Sequence, residues 1–172
     1  MKKIFALLFT IIVLSLSAMC AHLDPVRWYM MPINVYMPNN PKSGLMQKAF
    51  LELQNNSNNT LKFRFVQVKD RAQITVAFVA QCNHDNAVGL TYQGTKRHAF
   101  QKNSIKIGIL NPKTNKPYSD KELYIIMLHE AGHAIGMKHT TDPKDIMYPR
   151  LNNQQESLTE NDIKQIKNLY AY

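Results

Sequence analysis

Apolar side chains recur along this chain with two periods, and the changes of period mark out the elements. Ile33-Asn34-Val35-Tyr36 alternates and predicts a first strand. Asn40-Pro41 then reads as a helix N-cap and first-position pair. After it Leu45, Ala49 and Leu53, with Met46 and Phe50 beside them, repeat at helical spacing and predict one buried face. The polar run Asn55 to Asn59 ends that helix. Leu61, Phe63 and Phe65 alternate with Lys62 and Arg64, which predicts a half-buried strand. Ile74, Val76 and Phe78 repeat the pattern, and so do Ile105, Ile107 and Ile109. Between these two lies a polar stretch from Gln81 to Asn103, with an edge strand expected at Gly89-Leu90-Thr91-Tyr92.

A longer helix is predicted from Ser119, where Glu122 three residues on completes a capping-box pattern, to about Met137. A final helix is expected from near Thr159, with Asp162 answering the cap and Ile163, Ile166 and Leu169 on its buried face. The order is strand, helix, several strands, helix, irregular segment, helix. That order predicts an α+β domain: a mixed sheet with helices packed on it, then a small irregular C-terminal part.

The first residues belong to a different kind of segment. Lys2 and Lys3 precede an apolar run from Ile4 to Leu14, followed by the small residues Ser15, Ser17 and Ala18. This is the layout of a secretory signal peptide, and the run is short of the about 20 apolar residues that a membrane helix needs. We therefore expect residues 1–20 to be a signal peptide and residues 21–172 to form one exported domain with no transmembrane segment. Cys20 leaves two endings open: ordinary cleavage before Ala21, giving a secreted extracellular protein, or lipid anchoring through Cys20 at the cell envelope. Cleavage there leaves Cys82 without a disulfide partner, expected as a small buried residue. The formal charge falls from +9 to +7 when the two leader lysines are removed. The basic residues are scattered, with no basic helix and no aromatic-interleaved groove, so nucleic acid is not an expected partner.

The chemistry concentrates in His129-Glu130-Ala131-Gly132-His133-Ala134-Ile135-Gly136-Met137-Lys138-His139. Histidines four apart on a helix project from one face and can share one metal. Zinc takes nitrogen ligands in tetrahedral array, and a catalytic site leaves one position for water. Glu130 stands beside the first histidine, within reach of that water. Gly136 can end the helix in a left-handed turn and bring His139 round as third ligand.

With these residues the chain resembles the metzincins and, within them, the matrixins. His139-Thr140-Thr141-Asp142-Pro143 followed by Asp145-Ile146-Met147-Tyr148-Pro149 is similar to the matrixin segment leading into the Met-turn, which makes Met147 the Met-turn residue. Leu158-Thr159-Glu160-Asn161-Asp162-Ile163 with Leu169-Tyr170 matches the closing helix, and Arg27-Trp28 with Pro32 to Tyr36 the first strand. The resemblance implies a five-stranded, mostly parallel twisted sheet with three helices. It also implies a zinc-dependent endopeptidase with Glu130 as general base and His129, His133 and His139 as ligands. Substrate would lie extended along Gly89, Leu90, Thr91 and Tyr92. The pocket for the residue after the cut would be walled by Tyr148, Pro149, Arg150 and Leu151 over Ile125, favouring bulky apolar side chains.

The departures shape further expectations. Matrixin loops usually hold calcium and a second, structural zinc, yet Asn86 to Ser119 contains no Asp or Glu. His84, Asp85 and His98 lack the family's H-x-D spacing and read as surface residues. One catalytic zinc is therefore expected, without calcium or structural zinc. No cysteine-switch motif precedes Arg27; Asp24 is the one candidate for a zinc-blocking residue in a very short pro-segment. Partners should be protein or peptide substrates acted on by a monomer. Two other readings stay open: a highly restricted processing protease, and a metal-bearing binding protein without general proteolysis.

Overall fold

A computed structural model describes residues 25–82 and 86–170. The leader, Cys20, Asp24, His84 and Asp85 lie outside the described residues. The elements run β1 Ile33–Tyr36, α1 Ser43–Asn56, β2 Phe63–Val66, β3 Ile74–Val79, β4 Gly89–Lys96, β5 Ala99–Gly108, α2 Asp120–Ile135 and α3 Glu160–Tyr170. The strands form one sheet in the order β2-β1-β3-β5-β4. Four of them are parallel, and β4 runs antiparallel to β5 at the edge. The implied α+β fold, five mostly parallel strands with three helices among the described residues, is the fold found.

The alternating residues meet across this sheet as their period requires. Val35 pairs with Ile74, Val76 with Ile105 and Gly89 with Ile107. Ile33, Val35, Ile74, Val76, Ile105 and Ile107 are all buried, in one core with Met46, Ala49, Phe50 and Leu53 of α1. α2 is buried on nearly every side rather than along one stripe: ten of its 16 residues are inaccessible. Such a helix is a core element and not a surface one, which suits it to carry a site.

Four boundaries differ from the sequence expectation. α1 starts at Ser43 with no side-chain cap, because Asn40 spends its carboxamide oxygen on Lys42 N (2.9 Å) and builds the preceding turn instead. Leu61 is buried but lies just before β2, and β5 ends at Gly108, before Ile109. β4 continues past Tyr92 to Lys96 and folds back into β5 through Arg97 and His98, whose φ angles are 49° and 61°. Positive φ at both central residues is what a two-residue hairpin with native twist needs. Arg-His lacks the usual Asn or Gly signal, and both strands there are polar and exposed, so no alternation announced them.

α2 begins with a complete capping box: Glu122 N donates to the Ser119 hydroxyl, and Ser119 N donates to the Glu122 carboxylate at 2.8 Å. It stops at Gly136, which takes φ 106°. A Cβ there would also stand 2.6 Å from the Val26 carbonyl oxygen. Gly136→Ala should therefore lower unfolding free energy by about 1–3 kcal/mol, read from the urea midpoint. An unchanged midpoint would show that the turn tolerates a side chain.

Candidate active site

Ending α2 at Gly136 leaves its last carbonyls without helical donors. Distant parts of the fold supply them. Ala134 O accepts from Trp28 Nε1 and from Asn103 Nδ2, both at 2.9 Å. Ile135 O accepts from the Tyr170 hydroxyl at 2.7 Å, and His133 O, which already accepts from Gly136 N, takes a second donor in Gln93 Nε2 at 2.5 Å. The chain beyond the turn is fixed to α3 by a reciprocal pair: Lys138 N donates to Gln165 Oε1, and Gln165 Nε2 donates to Lys138 O. The helix end that carries the histidines is thus tied to the N-terminal segment, two strands and the last helix.

The turn brings His139 against His129 and His133. One ligand-capable nitrogen from each lies within 4.8 Å of the others, and the rings pack with centroids 4.7 to 5.3 Å apart. His129 Nδ1 is 2.7 Å from Ile146 O, and His133 Nδ1 is 3.1 Å from Met137 O. A carbonyl can only accept, so each Nδ1 carries the proton and each Nε2 presents a lone pair. Burial also pushes both imidazoles below their ordinary range, His133 to about 4, which keeps them neutral. His133 Nε2 and His139 Nε2 stand 3.0 Å apart. Tetrahedral zinc with nitrogens at about 2.0–2.1 Å would set such atoms a little over ~3 Å from one another. Neutral imidazoles, carbonyl-locked tautomers and converging lone pairs fit a zinc ion.

Glu130 is buried at 5% exposure. Burial pushes its carboxyl up to about 7, against the opposing hydrogen bond from Thr91. The Thr91 hydroxyl lies 2.6 Å from Glu130 Oε2 and 3.0 Å from Glu130 O. Gly89 sits directly under the same side chain: a Cβ there would be 2.6 Å from Glu130 Cγ and from Oε1.

Beneath the histidines, Met147 is fully buried, and a Cβ on Gly132 would stand 2.6 Å from its sulfur. Asp162, fully buried, accepts from Ile146 N (2.8 Å), Met147 N (3.2 Å) and Thr159 N (3.0 Å). It therefore caps α3 and holds the strand of chain whose Ile146 carbonyl faces His129. Asp145 adds bonds from the Thr159 hydroxyl and from Asn161 Nδ2.

A cleft of about 290 Å³ runs past these groups. Gly89, Leu90 and Thr91 form one wall, Tyr148, Pro149 and Leu151 the other, with Ile125 between. Two nominated residues stand elsewhere. Tyr92 is 49% exposed under the Lys106 ammonium and does not line the cleft. Arg150 lines an adjoining cavity of about 960 Å³ that also meets Lys113 and Lys121. His98 sits exposed in the hairpin turn. Cys82 is buried with its thiol pushed up by burial, a packing residue. Sequence reasoning did not assign the supporting roles of Gly132, Trp28, Gln93, Asn103 and Asp145. Gly132 alone carried a signal, since glycine inside a helix costs about 1 kcal/mol against alanine and needs a local reason.

Three imidazoles, two on one helix and one brought round by the turn after it, converge with a buried carboxylate in a cleft beside a sheet edge, the make-up of a metal-dependent hydrolase. The family model described as matrixin matches residues 22–171, and the chain belongs to the matrixin family. It is 32% identical over 118 residues to a macrophage metalloelastase of Rattus norvegicus, covering 64% of this chain and 25% of that protein. It is 30% identical over 122 residues to an interstitial collagenase of Oryctolagus cuniculus, covering 66% and 25%. Against matrix metalloproteinase-26 of Homo sapiens it is 30% identical over 118 residues, covering 64% and 45%. The chain thus spans a quarter to under half of these relatives' lengths.

Asp162→Ala should cost about 3 kcal/mol or more, because each buried amide left without an acceptor costs about 1–3 kcal/mol. Urea unfolding checks this; a loss under 1 kcal/mol would mean that water replaces the carboxylate.

Proposed function

We propose that the chain is a zinc-dependent endopeptidase that hydrolyses internal bonds of extended protein or peptide substrates. The observation that carries the proposal is the convergence of His129, His133 and His139 next to the buried carboxylate of Glu130, inside a cleft flanked by the free edge of β4. His129, His133 and His139 would hold the zinc, which supplies Lewis-acid chemistry by acidifying water and polarising the scissile carbonyl. Glu130 takes the proton of the attacking water and passes it to the departing amine. Its raised proton affinity suits both steps, since a shuttle works best near the operating pH. The substrate backbone pairs with the outer edge of β4 from Gly89 to Tyr92, as an added strand does. Ile125, Tyr148, Pro149 and Leu151 receive the residue after the cut and favour a bulky apolar side chain, with Arg150 at the entrance to the larger cavity.

Residues 1–20 act as the export signal, which makes the site of action extracellular, free or lipid-anchored through Cys20. No helix among the described residues is long and apolar enough to cross a membrane. The chain works as a monomer with one zinc and no calcium or structural zinc. Calcium takes six to eight oxygens, largely from carboxylates, whereas Asn86 to Ser119 carries no acid and six cations, Lys96, Arg97, Lys102, Lys106, Lys113 and Lys116.

Glu130→Ala should keep zinc and fold but lose cleavage of a mixed peptide library by several orders of magnitude. Activity within about tenfold of wild type would remove Glu130 from the role. His129→Ala and His133→Ala should each abolish stoichiometric zinc by elemental analysis; full occupancy in either would break the ligand assignment. Wild-type protein that binds zinc and cleaves nothing in the library would favour the binding-protein reading. The thermal midpoint should be indifferent to a calcium-selective chelator, and a midpoint that rises several degrees with millimolar calcium would contradict the single-metal reading.

A further inference from the structure

We infer that Thr91 is a positioning residue for Glu130, and that its hydroxyl fixes the orientation of the Glu130 carboxyl group relative to α2. The inference rests on the reading of Glu130 as general base.

Three observations converge on it. The Thr91 hydroxyl is 2.6 Å from Glu130 Oε2, the short end of the range for a hydroxyl donating to a carboxylate. The same hydroxyl is 3.0 Å from the Glu130 main-chain oxygen, which α2 holds fixed. Gly89, two residues earlier on β4, leaves open the space that the Glu130 side chain occupies; a Cβ there would overlap it at 2.6 Å. Strand alternation puts Gly89 and Thr91 on the same face of β4, so one edge strand supplies the seat and the clamp together.

The hydroxyl has one proton, which it can direct to Oε2 while it stays beside the main-chain oxygen of the same residue. One side chain of the neighbouring strand thus ties the carboxyl group to the backbone of α2, and Gly89 leaves the space the carboxyl occupies. Together they hold the carboxyl group in one orientation. A side chain of the same shape without the hydroxyl would leave the carboxyl free to rotate. Misplacement of a reacting group by about 1 Å can cost a hundredfold in rate.

The test compares Thr91→Val, which keeps the shape, with Thr91→Ser, which keeps the hydroxyl. The full chain would be assayed on a quenched fluorescent peptide carrying leucine after the scissile bond. Zinc content and thermal midpoint would be measured in parallel. Thr91→Val should lower kcat by about tenfold to a hundredfold, with KM and zinc unchanged, and Thr91→Ser should recover most of it. A wild-type kcat in Thr91→Val would overturn the inference. So would an equal loss in Thr91→Ser, or a change confined to KM, which would place Thr91 on the substrate instead. Glu130→Gln separates the two readings. Loss of activity there with a normal Thr91→Val removes only the clamp, whereas retained activity in Glu130→Gln removes the base and the clamp together.

Discussion

The left-handed turn at Gly136 is the constraint on which the rest of the molecule depends. It stops α2 one turn after His133 and reverses the chain, and only that reversal lets His139 meet histidines that a continuing helix would leave behind. The same stop strips donors from the carbonyls of Ala134 and Ile135. The fold answers with Trp28, Asn103 and Tyr170, residues drawn from its beginning, middle and end. Burying those carbonyls unpaired would cost several kcal/mol in sum. The helix terminus and the sheet therefore hold each other in place, and the cluster inherits its rigidity from that mutual support.

A second constraint is electrical. Glu130 is buried, and His129 and His133 are half-buried, on a core element. Burial discourages charge on each of them, so the imidazoles are kept neutral and the carboxyl holds its proton more tightly than usual. A dication placed among converging lone pairs beside that carboxylate has matching partners. The irregular segment after α2 completes the arrangement through Asp162, which anchors the amides of Ile146 and Met147 while the Ile146 carbonyl fixes the tautomer of His129. Support of this kind, one layer behind the ligands, sets ring orientation.

Much of the fold was legible because its signals are local. The period-two runs in β1, β3 and β5, the capping box at Ser119 and the glycine at 136 each state their geometry within a few residues. The three histidines and Glu130 could be nominated for the same reason, since helical spacing and one turn define their proximity, whereas the Met147 segment was nominated through its resemblance to the matrixins. What escaped was non-local or polar. The β4–β5 hairpin carries no apolar alternation beyond Tyr92, and its turn residues are Arg and His. Asn40 looked like a cap but serves the turn before α1. The hydroxyl of Thr91 reaches Glu130 across 39 positions, and the Asn103 amide and the Trp28 indole reach Ala134 across 31 and 106. No window of sequence contains both ends of such a contact. Tyr92 was counted with the cleft because its neighbours line it, while its own ring lies exposed under the Lys106 ammonium.

The central claim is that three imidazoles of this one chain share a zinc ion beside Glu130, and zinc X-ray absorption spectroscopy on the purified protein addresses it most directly. The expected result is one zinc per chain with a first shell of three imidazole nitrogens and one oxygen, the nitrogens at about 2.0–2.1 Å. A shell containing sulfur, or fewer than three imidazoles, would contradict it.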